Sequence, residues 1–496
     1  MSMHQCEDKN NQLVLADYER YFAQFQKVGQ GQVFQFWEQL DSAQRLDLLQ
    51  QASAVDLFEL HELVQTHVLN QGRCSSADFA ELRPAAYCAH PKNGGDPSRW
   101  QSAWDHGVQA LADGRVAAFT VAGGQGTRLG FEGPKGTFPI SPLSQKTLFQ
   151  MFAEKLLRSS QRFSAQIPWY ILTSEINHQA TVEAFEQAAY FGLSPDSVHF
   201  IVQGLVPAVD YSGKILLEAP DKIAKTPDGH GGALRALVRS GALDTLKTMG
   251  VDVISYFQVD NPMVSCIDPY FIGFHLLEQS QLSSKMVQKA HAAEKVGVFC
   301  EHSGKQMVVE YSDLPPSLQS AQTSEGGLLF QGGSIAIHLF DRDFVEQVAG
   351  SGNQLPFHRA DKKIPYLNSA GQHIQPTEAN GVKFELFVFD ALPLAQRTLI
   401  IETIRRDEFS PVKNAEGADS PISSRQDQLR QFARWVQAAG VKLPVDSTGL
   451  PVFEFEISPC FAVDELDFVA RWQSLPQQPN IAAGTILSAA LFESIA

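Results

Sequence analysis

The sequence predicts an α/β protein in which a mainly parallel sheet is covered by helices, with a helical N-terminal region and a small C-terminal domain. Two observations carry this prediction. From about residue 115, apolar runs alternate with amphipathic stretches, which is the pattern of strands connected by helices. The length of 496 residues also exceeds what one hydrophobic core usually supports. We expect a helical region over residues 1–100, an α/β domain over 101–390 and a C-terminal domain over 391–496.

The N-terminal region is predicted to be helical. Between residues 13 and 70, apolar residues recur at helical spacing, as at Leu57, Leu60 and Val64. Asp41 followed by Gln44 resembles a capping box, which marks a helix start. The stretch 76–99 is different, because three prolines and a Gly-Gly pair interrupt both helical and strand periodicity. We predict a linker or extended arm there.

The central part supplies the strands and helices of the predicted sheet. The strand candidates are Val116–Val121, Trp169–Thr173, Val198–Val202, Val253–Val259 and Val296–Cys300. The helix candidates are Thr147–Arg158 and Ala180–Tyr190. In such a sheet the ligand crevice lies at the carboxyl ends of the strands. The last 80 or so residues look less regular, with turns predicted at Asp419–Pro421 and Asp446–Gly449, and we assign them no chemistry.

Composition restricts the partners and the compartment. The formal net charge of −16 opposes nonspecific binding to nucleic acid or to an anionic membrane. No run of 18 apolar residues occurs, and the first residues lack the apolar segment of a signal peptide. The six cysteines lie far apart without a C-x-x-C pair, so neither a zinc site nor a disulfide framework is predicted. These features favour a reducing cytoplasm.

The most informative motif is a glycine-rich loop that follows the first central strand. It reads VAGGQGTRLG over residues 121–130 and continues with Pro134-Lys135-Gly136. Glycines let backbone N–H groups approach a ligand closely, and Arg128 and Lys135 add positive charge, so the loop is suited to phosphate. Its glycine spacing differs from the G-x-G-x-x-G of dinucleotide sites, and it lacks the G-K-[ST] of a Walker A loop. NAD binding and a P-loop ATPase are therefore disfavoured.

Residues 122–136 resemble the signature loop of the eukaryotic-type UDP-sugar pyrophosphorylases, and the form GGQGTRLG with PKG is most similar to the UDP-N-acetylhexosamine pyrophosphorylase branch. Further matching segments follow in the same order between about residues 115 and 415. They include Gln203-Gly204, Pro227–Gly232, Val259–Asn261, Val296–Val298, Val309–Ser312, Lys383, Phe387–Asp390, Arg406–Pro411 and Lys413-Asn414. The resemblance implies a Rossmann-like nucleotidyltransferase fold (GT-A-like) with a mixed sheet.

The resemblance also implies a reaction. UTP and a sugar 1-phosphate, with N-acetylglucosamine 1-phosphate as first candidate, give a UDP-sugar and pyrophosphate, and the enzyme runs in reverse from those products. The family needs no covalent enzyme intermediate, so the protein must bring two polyanions together with cations, backbone N–H groups and Mg²⁺. Arg128, Lys135 and Lys413 are the implied catalytic cations. Asp260, after an apolar strand, is the implied Mg²⁺ ligand; the alternative is an ordinary Asp-Asn turn.

The other site residues are implied in the same way. The nucleotide contacts are Val121, Ala122, Gly123, Gly124, Lys135, Gln203, Gly229, Asp260 and Lys383. The sugar contacts are His230, Gly297, Glu310, Tyr311, Ser334, Phe387, Phe389 and Lys413. Without the resemblance, Gln203 and Gly229 would be read as structural, and the two phenylalanines as core residues.

Two departures leave the sugar open. The acetylhexosamine branch carries Asn where this chain has His230, and another Asn where it has Ser334. Glucose-using branches carry His in the loop that corresponds to His230. The alternatives are therefore a glucose 1-phosphate uridylyltransferase, an enzyme of broader sugar range, or a non-catalytic sensor that binds UDP-sugar. His230 could serve as a neutral hydrogen-bonding residue, because the implied mechanism does not need a general base.

Overall fold

The computed structural model describes residues 3–70, 79–350 and 355–493, which form two compact units. The smaller unit comprises Met1–Phe79, Gly204–Gly232 and Leu355–Val388. The larger unit comprises Ala80–Gln203, Ala233–Gln354 and Phe389–Ala496. Each unit is therefore assembled from segments that are distant in sequence.

The α-helices are α1 (Met3–Lys27), α2 (Ser42–Ser53), α3 (Leu57–Leu63), α4 (Pro97–Ala112), α5 (Leu148–Phe163), α6 (His178–Gln187), α7 (Gly232–Arg239), α8 (Ala242–Thr248), α9 (Pro269–Leu277), α10 (Pro316–Gln319), α11 (Arg342–Ala349), α12 (Arg405–Glu408), α13 (Pro421–Ala438), α14 (Glu465–Ser474) and α15 (Ala490–Glu493). The strands are β1 (Arg83–Pro84), β2 (Val116–Val121), β3 (Trp169–Thr173), β4 (Val198–Val202), β5 (Leu205–Pro207), β6 (Val209–Asp210), β7 (Leu217–Ala219), β8 (Lys222–Ile223), β9 (Lys225–Pro227), β10 (Val253–Gln258), β11 (Leu282–Gln288), β12 (Val298–His302), β13 (Lys305–Val309), β14 (Gly332–Asp341), β15 (Phe357–Lys362), β16 (Tyr366–Leu367), β17 (His373–Ile374), β18 (Gly381–Leu386), β19 (Thr398–Glu402), β20 (Glu456–Ile457) and β21 (Ile486–Leu487).

A ten-stranded mixed sheet organises the larger unit. Its strand order is β1-β12-β14-β10-β2-β3-β4, and β11, β13 and β19 are attached through β14, β12 and β11. Strands β10, β2, β3 and β4 run parallel, whereas β14 is antiparallel to β10, β11 and β12. The mixed sheet implied by the resemblance is confirmed. The mainly parallel sheet expected from the alternating pattern is wrong, since half of the sheet is built around the antiparallel β14.

The parallel strands place two chain segments side by side. Val121 is the partner of Gln258 on one side and of Leu172 on the other, so β2, β3 and β10 end at nearly the same level. All predicted central strands exist; β2, β3 and β4 have the predicted bounds, and β12 starts two residues late. Strands β2 and β3 are buried on both faces because α5 and other helices cover the sheet, and β2 is accordingly almost continuously apolar.

Helix boundaries follow from local chemistry. α5 begins after Thr147, whose hydroxyl accepts a hydrogen bond from the N–H of Gln150, and it extends to Phe163, five residues beyond the predicted end. α6 covers the other predicted helix but ends three residues early, at Gln187. Ala189, Tyr190 and Phe191 have φ between 46° and 54°, a left-handed backbone that cannot continue a right-handed helix.

The smaller unit contains the predicted N-terminal helices and a three-stranded sheet in the order β15-β18-β6. The capping box is confirmed, since the Asp41 carboxylate and the Gln44 side chain exchange hydrogen bonds with each other's backbone N–H. Gln30 ties the helical region to the next segment, because its side chain bonds to both Gly213 and Ile215. Sheet and helices thus form one unit despite their separation in sequence.

Two predicted irregular stretches are more ordered than expected. In the described part of 76–99, Pro84 belongs to β1, which pairs with β12, and Pro97 is the first residue of α4. Proline is well tolerated at that position, where its missing N–H has no helical partner. Residues 76–78 lie outside the described ranges. The predicted turn at 419–421 is the start of α13, which Ser420 caps.

The C-terminal segment has its own apolar core, built mainly from α13 and α14. The expectation of an irregular tail is wrong, because a Ser-Pro pair at a helix N-terminus was read as a turn. The predicted turn at 446–449 is confirmed, with the Asp446 carboxylate accepting from the N–H of Thr448. Among the helices of the described ranges, none combines the length and the hydropathy of a membrane span. The described cysteines 88, 266, 300 and 460 are free thiols; the side chain of Cys6 and all of Cys74 lie outside the description.

Candidate active site

The glycine-rich loop leaves the sheet of the larger unit at the carboxyl end of β2. The N–H of Ala122 donates to the Leu172 carbonyl at 2.8 Å, and the N–H of Val259 donates to the Val121 carbonyl at 3.0 Å. These bonds continue the pairing of β2 with β3 and β10 by one residue. The loop and the residues after β10 therefore begin next to each other.

The loop folds back on itself. The N–H of Gly126 donates to the Gly133 carbonyl at 2.9 Å, and the N–H of Lys135 donates to the Gly124 carbonyl at 3.1 Å. A Cβ on Gly124 would have no neighbour within 4 Å, so the backbone there faces open space. A Cβ on Gly136 would lie 2.1 Å from the Phe149 ring, so this glycine is required by packing. The fold-back brings Lys135 beside the start of the loop.

Lys135 and Asp260 form the centre of this region. The Lys135 ammonium lies 3.9 Å from Asp260 Oδ2, and both side chains are 16% exposed. Burial lowers the pKa of Lys135, the Asp260 carboxylate raises it, and the positive charges of Lys413 and Arg128 lower it further. The three predicted catalytic cations and the predicted metal ligand are thus close enough to act on one another.

Lys413 and Arg128 are the exposed members of this group. Lys413 lies over the ring of Phe409 at 5.9 Å, and its N–H donates to the Asp419 carbonyl at 2.7 Å. The preceding residue, Val412, donates its N–H to the Asp260 carbonyl at 2.7 Å. Lys413 is therefore placed beside Asp260 by the backbone itself.

Gln203 follows β4 and lies next to the glycine loop. Its N–H donates to the Thr173 carbonyl at 2.7 Å, which extends the pairing of β3 with β4. Its Oε1 is 2.8 Å from the position that a Cβ on Gly123 would occupy, so a side chain on residue 123 would displace this amide. The predicted nucleotide contacts Gly123 and Gln203 are neighbours.

Three predicted sugar contacts of the larger unit also come together. The N–H of Ser334, on β14, donates to the Gly297 carbonyl at 2.8 Å. Glu310 Oε1 is 3.5 Å from the position of a Cβ on Gly297. Tyr311 follows Glu310 with a 39% exposed side chain, whereas Phe389 is only 7% exposed. Gly297, Glu310 and Ser334 form one cluster, and Phe389 is mostly a core residue.

The smaller unit holds the remaining predicted contacts around the end of β18. The segment 228–232 packs against this strand, with the Leu386 N–H donating to the Asp228 carbonyl and the Gly231 N–H to the Leu386 carbonyl, both at 2.8 Å. Gly229 has φ +82°, and a Cβ there would lie 2.4 Å from the Leu386 carbonyl oxygen. Only glycine fits this position, so Gly229 has a structural requirement of its own.

His230 is held in one protonation state. Its Nδ1 accepts a hydrogen bond of 3.1 Å from the N–H of Val388, which requires an unprotonated Nδ1 and leaves the proton on Nε2. Burial lowers the pKa of His230 to about 4; the Glu385 charge opposes this and His358 adds to it. His230 is therefore a neutral imidazole at pH 7 and not a proton carrier.

Phe387 stacks on two imidazoles. Its ring stacks on His230 at 5.3 Å with an interplanar angle of 13°, and on His358 at 4.3 Å with an angle of 17°. Lys383, on the same strand β18, pairs with the Glu385 carboxylate at 2.8 Å. The sequence did not single out His358, and its only signal was its place on β15, whose pairing with β18 was not predicted.

The sequence also missed two buried asparagines in the larger unit. Asn177 is 0% exposed and hydrogen-bonds the glycine loop, and Asn261 is 4% exposed and hydrogen-bonds the segment before Lys413. Asn261 stands next to Asp260 and was read as part of a motif without a role of its own. No local pattern marks Asn177, whose contacts depend on the fold.

Comparison with known proteins identifies the family. The sequence profile of UTP–glucose-1-phosphate uridylyltransferase matches residues 101–424. The chain is 34% identical to the UDP-N-acetylglucosamine pyrophosphorylase of Saccharomyces cerevisiae, over 84% of this chain and 90% of that protein. It is 37% identical to the UDP-N-acetylhexosamine pyrophosphorylase-like protein 1 of Xenopus tropicalis, over 86% of each.

Solved structures agree with the sequence relatives. The putative UDP-N-acetylglucosamine pyrophosphorylase of Entamoeba histolytica superimposes with a TM-score of 0.72 at 34% identity, covering 82% of this chain and 100% of that one. The UDP-N-acetylglucosamine pyrophosphorylase of Trypanosoma brucei, solved with an inhibitor, gives a TM-score of 0.78 at 25% identity, covering 95% and 98%. The resemblance in the sequence is confirmed, and the chain belongs to the UTP–glucose-1-phosphate uridylyltransferase family, the nucleotidyltransferases known as UDP-sugar pyrophosphorylases.

Proposed function

We propose that this nucleotidyltransferase makes UDP-N-acetylglucosamine and pyrophosphate from UTP and N-acetylglucosamine 1-phosphate. The observation that carries the proposal is the 3.9 Å distance between Lys135, in the loop after β2, and Asp260, after the adjacent parallel strand β10, with the positive charges of Lys413 and Arg128 nearby. Such a group of cations beside one carboxylate suits two phosphate substrates and a metal. The names of relatives from yeast and frog support the acetylated sugar.

In the proposed reaction, a phosphate oxygen of the sugar 1-phosphate attacks the α-phosphorus of UTP. The bond between the α-phosphorus and the bridging oxygen breaks, and pyrophosphate leaves with the electron pair. Both substrates are anions, so they must be held against their repulsion, and charge spreads in the transition state. We assign Lys413 to the sugar phosphate, and Arg128 and Lys135 to the UTP phosphates. We also assign nucleotide contacts to the backbone of Val121, Ala122, Gly123 and Gly124.

Asp260 is the proposed Mg²⁺ ligand. Its carboxylate is partly exposed and lies 3.9 Å from Lys135, beyond hydrogen-bond distance, so the oxygens are suited to a cation. Mg²⁺ usually takes one or two carboxylates together with substrate phosphates, which fits this donor set. When bound, the metal neutralises phosphate charge. Lys135 adds to that neutralisation from the protein side.

The remaining contacts are assigned from the family resemblance. Gln203 and Gly229 are proposed to read the uracil and ribose, and Lys383 to contact the nucleotide. Gln203 supports this assignment because its amide stands against Gly123 of the loop. By the same resemblance, UTP is expected in preference to other nucleotides.

The proposed sugar contacts lie in two clusters. Gly297, Glu310 and Ser334, with Tyr311 next to them, offer a carboxylate, a hydroxyl and backbone groups to sugar hydroxyls. In the smaller unit, His230 offers a neutral imidazole, and Phe387 is proposed to contact the acetamido methyl. Phe389, in the larger unit, keeps its proposed role as a sugar contact from the resemblance, although its low exposure favours a core role.

Parallel assays test the proposal. Pyrophosphate release is measured with UTP and Mg²⁺ and either N-acetylglucosamine 1-phosphate or glucose 1-phosphate, with Asp260→Asn as the inactive control. Higher kcat/KM with the acetylated sugar supports the proposal. A preference for glucose 1-phosphate, or similar rates with both, would assign the chain to the glucose-using or broad alternative that His230 and Ser334 suggest.

A silent sensor gives a different result. It would bind UDP-N-acetylglucosamine in calorimetry, yet release no pyrophosphate with any sugar phosphate.

We further propose a cytoplasmic enzyme with no nucleic-acid partner. The free thiols of the four described cysteines and the net charge of −16 support this. Fractionation of the source cells tests the compartment.

A further inference from the structure

We infer that two buried asparagines, Asn177 and Asn261, are positioning residues that fix the two sides of the phosphate site. Asn177 holds the glycine loop, and Asn261 holds the segment that carries Lys413 against Asp260. The inference rests on the proposed function and deepens it, because it names side chains that touch no substrate yet set the geometry of those that do.

Asn177 is completely buried and acts on the loop through its amide. Its Nδ2 donates to the carbonyls of Ala122 at 2.9 Å and Gly124 at 3.2 Å. Its Oδ1 accepts from the N–H of Ser174 at 2.8 Å, which anchors the amide to the end of β3. The amide group thus has partners for both its donor and its acceptor.

This arrangement aims the backbone of the loop. In a trans peptide, the C=O and the following N–H point in opposite directions. With the Ala122 and Gly124 carbonyls held toward Asn177, the N–H groups of Gly123 and Gln125 turn away from it. The Gly124 carbonyl also accepts from the Lys135 N–H at 3.1 Å, so the same bonds fix the position of the lysine. Asn177 therefore orients both the Gly123 N–H and the Lys135 cation that we assign to UTP.

Asn261 clamps the other side. Its Nδ2 donates to the Glu408 carbonyl at 2.7 Å, and its Oδ1 accepts from the N–H of Ser410 at 3.2 Å. One residue earlier, the Asp260 carbonyl accepts from the Val412 N–H at 2.7 Å. Three hydrogen bonds thus join residues 260–261 to residues 408–412. Lys413 follows directly, so its distance from Asp260 is set by this clamp.

The clamped segment is itself anchored. The Glu408 carboxylate binds the fully buried Lys285 at 2.5 and 2.7 Å and accepts from the Thr403 hydroxyl at 2.7 Å. Lys285 also pairs with Asp268 at 2.6 Å. A buried ion group with this many partners resists displacement. Asn261 connects that fixed point to Asp260.

The chemistry of the amide explains why asparagine stands at both positions. Each site needs a donor toward carbonyl oxygens and an acceptor for an N–H on one short side chain. Aspartate keeps the size and the acceptor but places a carboxylate oxygen against the Ala122 or Glu408 carbonyl. Asn177→Asp and Asn261→Asp therefore keep the shape of the side chain but replace the donor by a negatively charged oxygen that repels the carbonyl, and Asn177→Ser and Asn261→Ser shorten the side chain without adding charge.

The two variants should differ kinetically if the residues act by positioning. Asn177→Asp should raise the KM for UTP about tenfold or more, because small displacements of binding groups have effects of this size. Asn261→Asp should lower kcat and raise both the KM for the sugar phosphate and the Mg²⁺ concentration for half-maximal rate by about tenfold. Asn93→Asp is the control for the same exchange. It removes a side-chain hydrogen bond of 2.7 Å to Glu402 that touches neither segment, so it should leave all four parameters unchanged.

Melting temperatures separate positioning from stability, and Asn177→Ser and Asn261→Ser replace any aspartate variant that does not fold. Equal losses in every kinetic parameter for both asparagines, or wild-type kinetics in either, would overturn the inference. If the wild-type chain releases no pyrophosphate, the proposed function fails by itself. In that case, calorimetry tests Asn177 through the affinity for UTP: a tenfold loss in the variant supports the inference, and wild-type affinity contradicts it. Asn261 is tested through the Mg²⁺-dependent affinity for UTP, with the same two outcomes.

Discussion

The phosphate region (Arg128, Lys135, Asp260 and Lys413) and the aromatic group (His230, His358 and Phe387) are suited to different ligand groups by opposite electrostatic properties. In the first, the charges of Lys135, Lys413 and Arg128 lie near the Asp260 carboxylate. Burial lowers the pKa of Lys135, and the Asp260 carboxylate opposes this effect. In the second, a histidine that could carry charge is kept neutral, with its pKa lowered to about 4, and stacks on Phe387. The phosphate region is therefore suited to charged ligand groups, and the aromatic group to neutral ones.

The difference shows what each region can select. Charge attraction acts on any phosphate and depends little on the rest of the ligand. Stacked rings and a fixed imidazole proton act on shape and on single hydrogen-bonding groups. We therefore expect the phosphate region to supply rate, and the aromatic group to decide between sugars.

Removing a cation from the phosphate region should cost the most. Lys413→Ala and Arg128→Ala should each lower kcat about 100- to 1,000-fold, because donors aimed at transition-state charge have effects of that size. Both side chains are exposed, so the melting temperature should hardly change. Steady-state pyrophosphate release and thermal melting check the two statements.

Lys247→Ala is the matched control for these variants. Lys247 is exposed in the last turn of α8, outside the proposed site, and should keep wild-type turnover. A variant of Lys413 or Arg128 with wild-type turnover would remove that residue from the mechanism. A large fall in melting temperature would mean instead that the cation has a structural role.

The neutral state of His230 should affect the pH dependence of the free energy of unfolding rather than the catalytic rate. The folded pKa of His230, about 4, lies below the 6.5 of an unfolded chain, so the unfolded state binds more protons between these values. This contribution is fully present above pH 6.5 and is lost as the pH falls toward 4, by up to roughly 3 kcal/mol. Urea unfolding at pH 7 and pH 5 measures the change.

His275 must be accounted for in that experiment. Its pKa is lowered to about 3 by burial, so it contributes to stability in the same direction and over an overlapping pH range. The difference between the wild type and His230→Asn isolates the share of His230, since His275 is present in both. An unchanged pH dependence in His230→Asn would show that His230 is not held neutral.

The same contrast explains how far the sequence could be read. The glycine loop and Asp260 could be marked in the sequence because they follow strands, whose parallel pairing places their ends together. Lys135 could be marked by its place in the same loop motif, whereas the roles of Lys135 and Asp260 rest on the resemblance. Lys413 was found only through resemblance, since hydrogen bonds between distant segments bring it to Asp260. Asn177 and His358 were missed because their partners come from other elements. Motif reading finds residues next to strand ends and misses those that tertiary contacts recruit.

Phe387→Ala tests whether the aromatic group reads the sugar. Removing the ring takes away the apolar surface and the stack on both imidazoles, so the KM for N-acetylglucosamine 1-phosphate should rise about tenfold, the usual scale for an apolar pocket contact. The KM for UTP should stay the same. Equal increases for glucose 1-phosphate and the acetylated sugar would mean that the ring does not contact the acetamido group.

The smallest effect is expected for the sugar preference of His230→Asn. In the wild type, Nδ1 accepts from Val388, so the imidazole presents a hydrogen-bond donor through Nε2. An asparagine, as in the acetylhexosamine branch, could offer both a donor and an acceptor, but it would lose the stack on Phe387. The two changes oppose each other, so we expect kcat/KM for the acetylated sugar relative to glucose 1-phosphate to rise only about threefold. A fall in that ratio would assign selectivity to the stacked imidazole, and the departure from the branch pattern would then be an adaptation of the same pocket rather than a change of substrate.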